Sequence, residues 1–418
     1  MFRLAILMFC VFGITTGEFV VAGILPEVAT DLDVTIGAAG LIVTAYAVGM
    51  IVGGPVLTAL TARVDRKRLM LSLLGIAVLG NGASVFAPDF TALLAARVIT
   101  ALVTSTFFAQ AIVVAVRSVP AERAGTAVAR LAFGMNLAMI VGAPLGTAIG
   151  GQWGWRAAFA AVGAACLIGL LLVAAVIDEP APKERRISAL AELRVLRRPP
   201  VLSALAITAM GNIGVLMVFG YLAPLMTEVA GHPASRLPLL LLGYGVGAAI
   251  GNLIGGSLHD RDPRRSGPAL LGLLSAVLVG TWFVAVAAAP AAVAVVAIGG
   301  LGFAIIPGMQ ARVVAAAVEA PTLAMAVNAS GYQVAAAVAG RLGGVITDSA
   351  AGPRPIYPVA AGLTLIGLVL TLVGTRSASA GSESKIAASG RGVSRWRRRH
   401  GGGRDASGRA ADHRSASV

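Results

Sequence analysis

The chain has 418 residues, of which 57% are hydrophobic and only 12% charged, with 52 glycines; a soluble core does not need so apolar a composition, whereas a bundle of bilayer-spanning helices does. The net charge of +14 does not point to nucleic acid, because residues 376–418 alone carry ten Lys or Arg against three acids and most other bases lie in short loops between apolar runs. Two cysteines, Cys10 and Cys166, both within apolar runs, give no disulfide framework, and the four His form no cluster with metal-ligand spacing.

Apolar runs of bilayer length are predicted at 4–25, 36–60, 69–87, 91–116, 127–151, 157–177, 201–226, 237–258, 268–288, 291–316, 322–347 and 355–375. The first is not expected to be a cleaved signal peptide, because Glu18 interrupts it, it lacks a clear small-residue cleavage site and it runs on into further spans. Glu18 is also the most informative residue of the chain: the other Asp and Glu all fall in loops, helix ends or the tail. A carboxylate at that depth costs a few kcal/mol at least, so it faces a cavity or a partner and marks an ion path.

Alternate connections are basic, with Arg63, Arg66, Lys67 and Arg68, then Arg117 and Arg123, then 178–200, then Arg261, Arg264 and Arg265. The connections between them hold few bases (Arg156, Arg236, Arg354) and carry Glu27, Asp31, Asp33 and Asp89. The positive-inside bias therefore puts both termini and the middle loop in the cytoplasm. The predicted organisation is a six-helix bundle over 1–177, a linker over 178–200, a second six-helix bundle over 201–375, and a disordered basic tail over 376–418. A shift of 198 residues carries Pro26 onto Pro224, Arg63 onto Arg261, Gly142 onto Gly340 and Gly146 onto Gly344, as a duplicated unit would. Glu18 shifts onto Leu216, so the acid belongs to one half only.

Several stretches carry candidate chemistry. Arg63, Asp65, Arg66 and Lys67 after the second span, and Asp260 and Arg261 after the eighth, mix acids with bases as a two-state gate between halves would, or act as positive-inside anchors. Gly134, Gly142, Pro144, Gly146 and Gly150 strip one face of the fifth span for close packing, and Pro144 permits a bend. Arg97 lies within the fourth span, where it needs a carboxylate, carbonyls or water. Arg341 in the eleventh either meets an anionic substrate or snorkels outward. Thr15, Thr16, Phe19, Tyr46, Phe107, Phe108, Gln110, Asn136, Asn212, Phe219, Tyr221, Gln310, Asn328, Tyr332 and Gln333 are further candidates for a drug-sized cavity with apolar and aromatic walls. No phosphate-cradling loop ends in Lys-Ser or Lys-Thr, so no nucleotide cofactor is expected.

The basic loops and the glycine face resemble those of the major facilitator superfamily, in its twelve-helix drug:proton antiporter branch. The stretches Glu18-Phe19-Val20-Val21-Ala22-Gly23-Ile24-Leu25-Pro26 and Gly154-Trp155-Arg156-Ala157-Ala158-Phe159 are similar to bacterial arabinose-efflux-type and chloramphenicol exporters. The first loop departs from the family pattern, with Thr58, Ala62 and Asp65 in place of Gly, Asp and Gly, while the second keeps Asp260. The resemblance implies an all-α membrane protein, two pseudo-symmetric bundles of the major facilitator fold, that is not an enzyme. It also implies proton-driven export of a small hydrophobic or amphipathic compound by a monomer in a bacterial cytoplasmic membrane, with Glu18 and Arg97 in proton coupling. The partners expected are substrate, protons and lipid, and no nucleic acid. The alternatives are an exporter of a sugar, nucleoside or other metabolite, and, more remotely, a non-transporting membrane sensor.

Overall fold

The computed structural model describes residues 2–61, 64–120, 123–177, 199–316 and 321–373; Arg63, nearly all of the 178–200 linker and the 376–418 tail lie outside the described residues. Every regular element described is helical. In the first half these are α1 (Phe2–Phe19), α2 (Val21–Asp31), α3 (Ile36–Ala39), α4 (Leu41–Leu60), α5 (Arg66–Val85), α6 (Phe90–Arg117), α7 (Ala124–Leu137), α8 (Ala143–Trp153) and α9 (Trp155–Val176). The second half comprises α10 (Pro199–Gly220), α11 (Leu237–Arg261), α12 (Ser266–Val284), α13 (Ala288–Ala316), α14 (Pro321–Thr347) and α15 (Ile356–Val373). Eleven of the described helical stretches are long and apolar enough to cross a bilayer, and the 27-residue α14 completes twelve.

Local chemistry sets the helix ends. Asp65 and Asp89 accept from the backbone of Arg68 and Ala92 at 3.0 and 2.8 Å, capping α5 and α6. Gly154 takes the positive φ of 84° that lets α8 turn directly into α9. The first predicted span is one crossing in two pieces, interrupted at Val20 between α1 and α2. The fifth joins α7 to α8 through a π turn at Ala138–Gly142, immediately before Pro144, whose missing N–H removes a helical bond there.

Packing repeats between the halves. In the first, α1 packs on α7, α4 on α6 and α5 on α6; six spans later α10 packs on α14, α11 on α13 and α12 on α13. The halves meet where α3 and α4 pack against α14, where α8 and its π turn pack against α11, and where α2 packs on the short turn Leu222–Pro224. At the end holding Asp31, Trp155 and Tyr357, one apolar core runs continuously through both halves. At the other end the cores are separate, one around Leu7, Leu74, Phe107 and Val173, the other around Val201, Ala204 and Val313. Among the described residues the apolar core is thus continuous between the halves at the first end, the sealed end, and divided at the second.

Candidate functional site

Glu18 sits in the last turn of α1, one residue before Phe19 and the break at Val20. Its Oε1 accepts at 3.1 Å from Nε2 of Gln333, which α14 brings from the opposite half. The same Nε2 lies 3.0 Å from Met50 Sδ on α4. Beneath this pair Arg97 of α6 is fully buried. Its Nη2 donates to the Gly17 carbonyl at 2.5 Å, and its guanidinium lies 4.5 Å from the centre of the Tyr46 ring and 4.9 Å from that of Phe159. Tyr46 in turn shares a 2.8 Å hydrogen bond with Thr104. Arg97 therefore answers its burial with a carbonyl and two ring faces.

Glu18, Tyr46, Arg97 and Gln333 line one cavity together with Val21, Ile42, Val43, Ala47 and Ala336. It gives the centre of a water molecule ≈ 20 Å³ of room, enough for about one water and far below the space a drug-sized molecule needs. Arg97 Nε and Nη1 and Gln333 Oε1 are buried without a hydrogen-bond partner among the described residues. Beside the cavity an aromatic run crosses between halves: Phe19 meets Phe219 edge-on at 5.8 Å, and Phe219 meets Tyr244 at 5.0 Å. Tyr244, on α11, is a member of this run that the sequence reading did not single out.

The other predicted cavity residues distribute differently. Thr15 and Thr16 are buried, and Thr16 donates to the Phe12 carbonyl at 2.7 Å. Phe107 belongs to the apolar core of the first half, with Phe108 packed against it. Asn212 is spent on the Thr208 carbonyl at 2.7 Å and Met309 Sδ at 3.4 Å. Tyr221 donates to the Gly340 carbonyl at 2.6 Å in the α4–α14 seam. Asn328 is buried, Gln110, Asn136 and Tyr332 are half-buried, and Gln310 is exposed. Arg341 is exposed on the face of α14 that also bears Val334, Val338 and Val345, an apolar stripe in which an arginine extends outward.

The glycine face makes one seam. A Cβ on Gly134, Gly142, Gly146 or Gly150 would meet Met8 O at 2.7 Å, Thr16 Oγ1 at 2.2 Å, Val20 Cγ2 at 2.3 Å and Ile24 Cγ2 at 2.7 Å. Each pair is separated by the same 126 residues (134 − 8, 142 − 16, 146 − 20, 150 − 24), so the first and fifth spans run parallel in register. Pro144 is buried between two of these contacts. Of the predicted gate, Asp65 is the α5 cap, Arg66 is buried, Lys67 is half-buried, and Asp260 and Arg261 are exposed at the end of α11. In the second copy Asp262 forms the turn, accepting from the backbone of Arg264 and Arg265 at 3.1 Å each.

Two arginine clasps, not singled out from sequence, lie at the sealed end, one within each half. Arg156 pairs with Asp31, which also accepts from Trp155 Nε1 at 3.0 Å, and donates to the Ala87 carbonyl at 3.2 Å. Arg354 donates to the Trp282 carbonyl at 2.9 Å and lies 4.4 Å from the centre of that ring. Their separation is 354 − 156 = 198, the repeat shift itself.

Comparison with known proteins agrees with this architecture. The chain is 35% identical over 362 residues, 87% of its length and 92% of the relative's, to the inner membrane transport protein YdhP of Escherichia coli. It is 32% identical over 333 residues, 77% of its length and 83% of the relative's, to a chloramphenicol resistance protein of Streptomyces lividans. A bacterial homologue of the human lysosomal transporter Spinster, in an inward-facing and occupied conformation, superposes with a TM-score of 0.76 at 15% identity, covering 89% of this chain and 96% of that one. Residues 7–320 and 238–403 match the sequence profile of the Major Facilitator Superfamily. Twelve helices in two repeating halves around a shared carboxylate are thus those of a membrane transporter, and the chain belongs to the Major Facilitator Superfamily.

Proposed function

We propose that this transporter exports a small hydrophobic or amphipathic compound, in the class of chloramphenicol-like antibiotics, in exchange for protons across a bacterial cytoplasmic membrane. The basic connections put the divided end and both termini on the cytoplasmic side, and the sealed end faces outward. The observation that carries the reading is the Glu18–Gln333 bond, because it joins an acid set within the first span to the opposite half. While Glu18 is a carboxylate, that bond is charge-assisted and holds α1 to α14. A proton arriving on Glu18 removes the charge and weakens the link, which favours separation of the halves at that level. The opened cavity takes substrate against the Phe19–Phe219–Tyr244 wall as the proton leaves Glu18 for the cytoplasm, so proton and substrate occupy it in turn, as exchange requires. Arg97, held on the Gly17 carbonyl at the helix break, senses the same charge and couples it to the geometry of α1. The 1–177 and 201–375 bundles act as the two rocking bodies.

An aromatic and aliphatic wall favours an apolar cargo over a sugar. Trp155 and Trp282 are both engaged in the outer clasps, away from Glu18. The test is substrate-induced proton release from proteoliposomes, parent beside Glu18→Gln, screened over antibiotics, sugars and nucleosides. An antibiotic is expected to release protons from the parent, with the signal abolished in Glu18→Gln. Release by sugars or nucleosides alone would replace the substrate class. Intact coupling in Glu18→Gln would remove Glu18 from the mechanism.

A further inference from the structure

We propose that Asp348 is the outer latch of the transport cycle: a carboxylate of the second half that fastens the first half shut and must let go for the molecule to open outward. Asp348 directly follows α14 and stays in helical register, its N–H donating to the Gly344 carbonyl at 3.0 Å, so the side chain starts from a fixed base. From there the carboxylate crosses to the first half. Oδ1 accepts from the Gly37 N–H at 2.9 Å, and Oδ2 accepts from Thr35 Oγ1 at 2.7 Å. Thr35 Oγ1 already accepts from the Ala38 N–H at 3.0 Å, so its hydroxyl proton is committed to Asp348.

The ground around the latch is built for contact. A Cβ on Gly37 would stand 2.4 Å from both Asp348 Oδ2 and the Gly344 carbonyl, and one on Gly344 would stand 2.6 Å from the Gly37 carbonyl. Only glycines let these two backbones approach so closely. One turn deeper, Tyr221, held by its bond to the Gly340 carbonyl, packs directly against Gly40 of the first half. The latch lies where the apolar core is continuous between halves, opposite the end where the cores divide. Two hydrogen bonds to one carboxylate thus hold a contact that any outward opening of α4 from α14 has to break.

This inference rests on the alternating-access reading, and its test follows molecular shape rather than transport, so failure of the Glu18 assignment leaves it standing. Spin labels at Thr91→Cys and Ala289→Cys, exposed positions in the first turns of α6 and α13 and 289 − 91 = 198 residues apart, report the separation of the halves at the sealed end. Cys10 and Cys166 are buried. In lipid nanodiscs, electron–electron distance measurements on Asp348→Ala are expected to show the long-distance, outward-open population raised on the order of tenfold over the parent. Ser349→Ala, whose hydroxyl bonds only locally, donating to the Ile346 carbonyl and accepting from the Ala351 N–H, is expected to match the parent. Asp348→Asn keeps an acceptor for Gly37 but offers Thr35 an amide in place of an acceptor, and is expected to fall between. A monodisperse Asp348→Ala with the parent's distance distribution would overturn the proposal. Should that variant not fold, an Asp348→Asn distribution indistinguishable from the parent overturns it equally.

Discussion

Arg97 carries more hydrogen-bond donors than the described residues give it acceptors. A buried polar atom left without a partner costs on the order of 1–3 kcal/mol, and two such nitrogens flank the cavity that Glu18 lines. Thr100, Thr104 and Thr147 behave otherwise: each bonds a carbonyl one turn back in its own helix. Glu18 and Arg97 were legible in the sequence because each is a charge in an apolar run. Gln333 was legible only as a polar residue in a span, since nothing in the chain reveals that it meets a residue 315 positions away. Asp348 was not legible at all, because an acid just past a helix end reads as a solvated loop residue.

Charge at the surface has a different signature. Hydrogen bonds from Arg156 and from Trp155 hold the Asp31 carboxyl below the ordinary carboxylate range. A folded-state value below the unfolded one, about 3.9, means that the clasp's contribution is fully present above that value and is lost as pH falls through the lower, folded-state one. Asp31→Asn is therefore expected to melt below the parent at pH 6, with the gap closing as pH drops below about 4. Thermal unfolding of the detergent-purified pair across that range checks it; a gap independent of pH would mean that the clasp acts through shape alone.

Among the elements, the parallel seam between the first and fifth spans gives the sharpest expectation. A side chain on Gly134 would press on the backbone carbonyl of Met8, which cannot swing away as a side chain can. Overpacking of this kind costs about 1–3 kcal/mol. Gly134→Ala is expected to lower the melting temperature accordingly. Gly151→Ala, in the same span but with nothing within 4 Å of its Cβ, is expected to leave it unchanged or raise it, since Ala is the better helix former. Equal effects from the two would refute the seam. The spacing of these glycines was readable in the sequence, and the helix they face was not. The reason is physical: spacing fixes which residues share a face, while the neighbour of that face is decided by how twelve helices pack. The break at Val20 and the π turn at Ala138–Gly142 escaped for a related reason. Local propensity there still favours a helix, and packing against neighbours selects the irregular form.

For the molecule as a whole, the order of the spans and the existence of a repeat followed from apolar runs and loop charge, both set by the bilayer rather than by tertiary contact. Four matches at a shift of 198 stood out in the chain, and the structure adds Arg156 and Arg354 with their clasps. The distribution of apolar clusters among the described residues, continuous at one end and divided at the other, was not readable from the runs, because tertiary packing decides which side chains meet.

The paired clasps carry a consequence for how the protein is assembled. Arg156 ties three connections of the first half to one another, and Arg354 ties the second half to itself; neither reaches across. What joins the halves is side-by-side contact of finished surfaces, not shared threading of the chain. Covalent continuity through 178–198 should then be dispensable. Two polypeptides, 1–177 and 199–418, produced together in one cell are expected to co-purify from the membrane and to restore the export that either alone lacks.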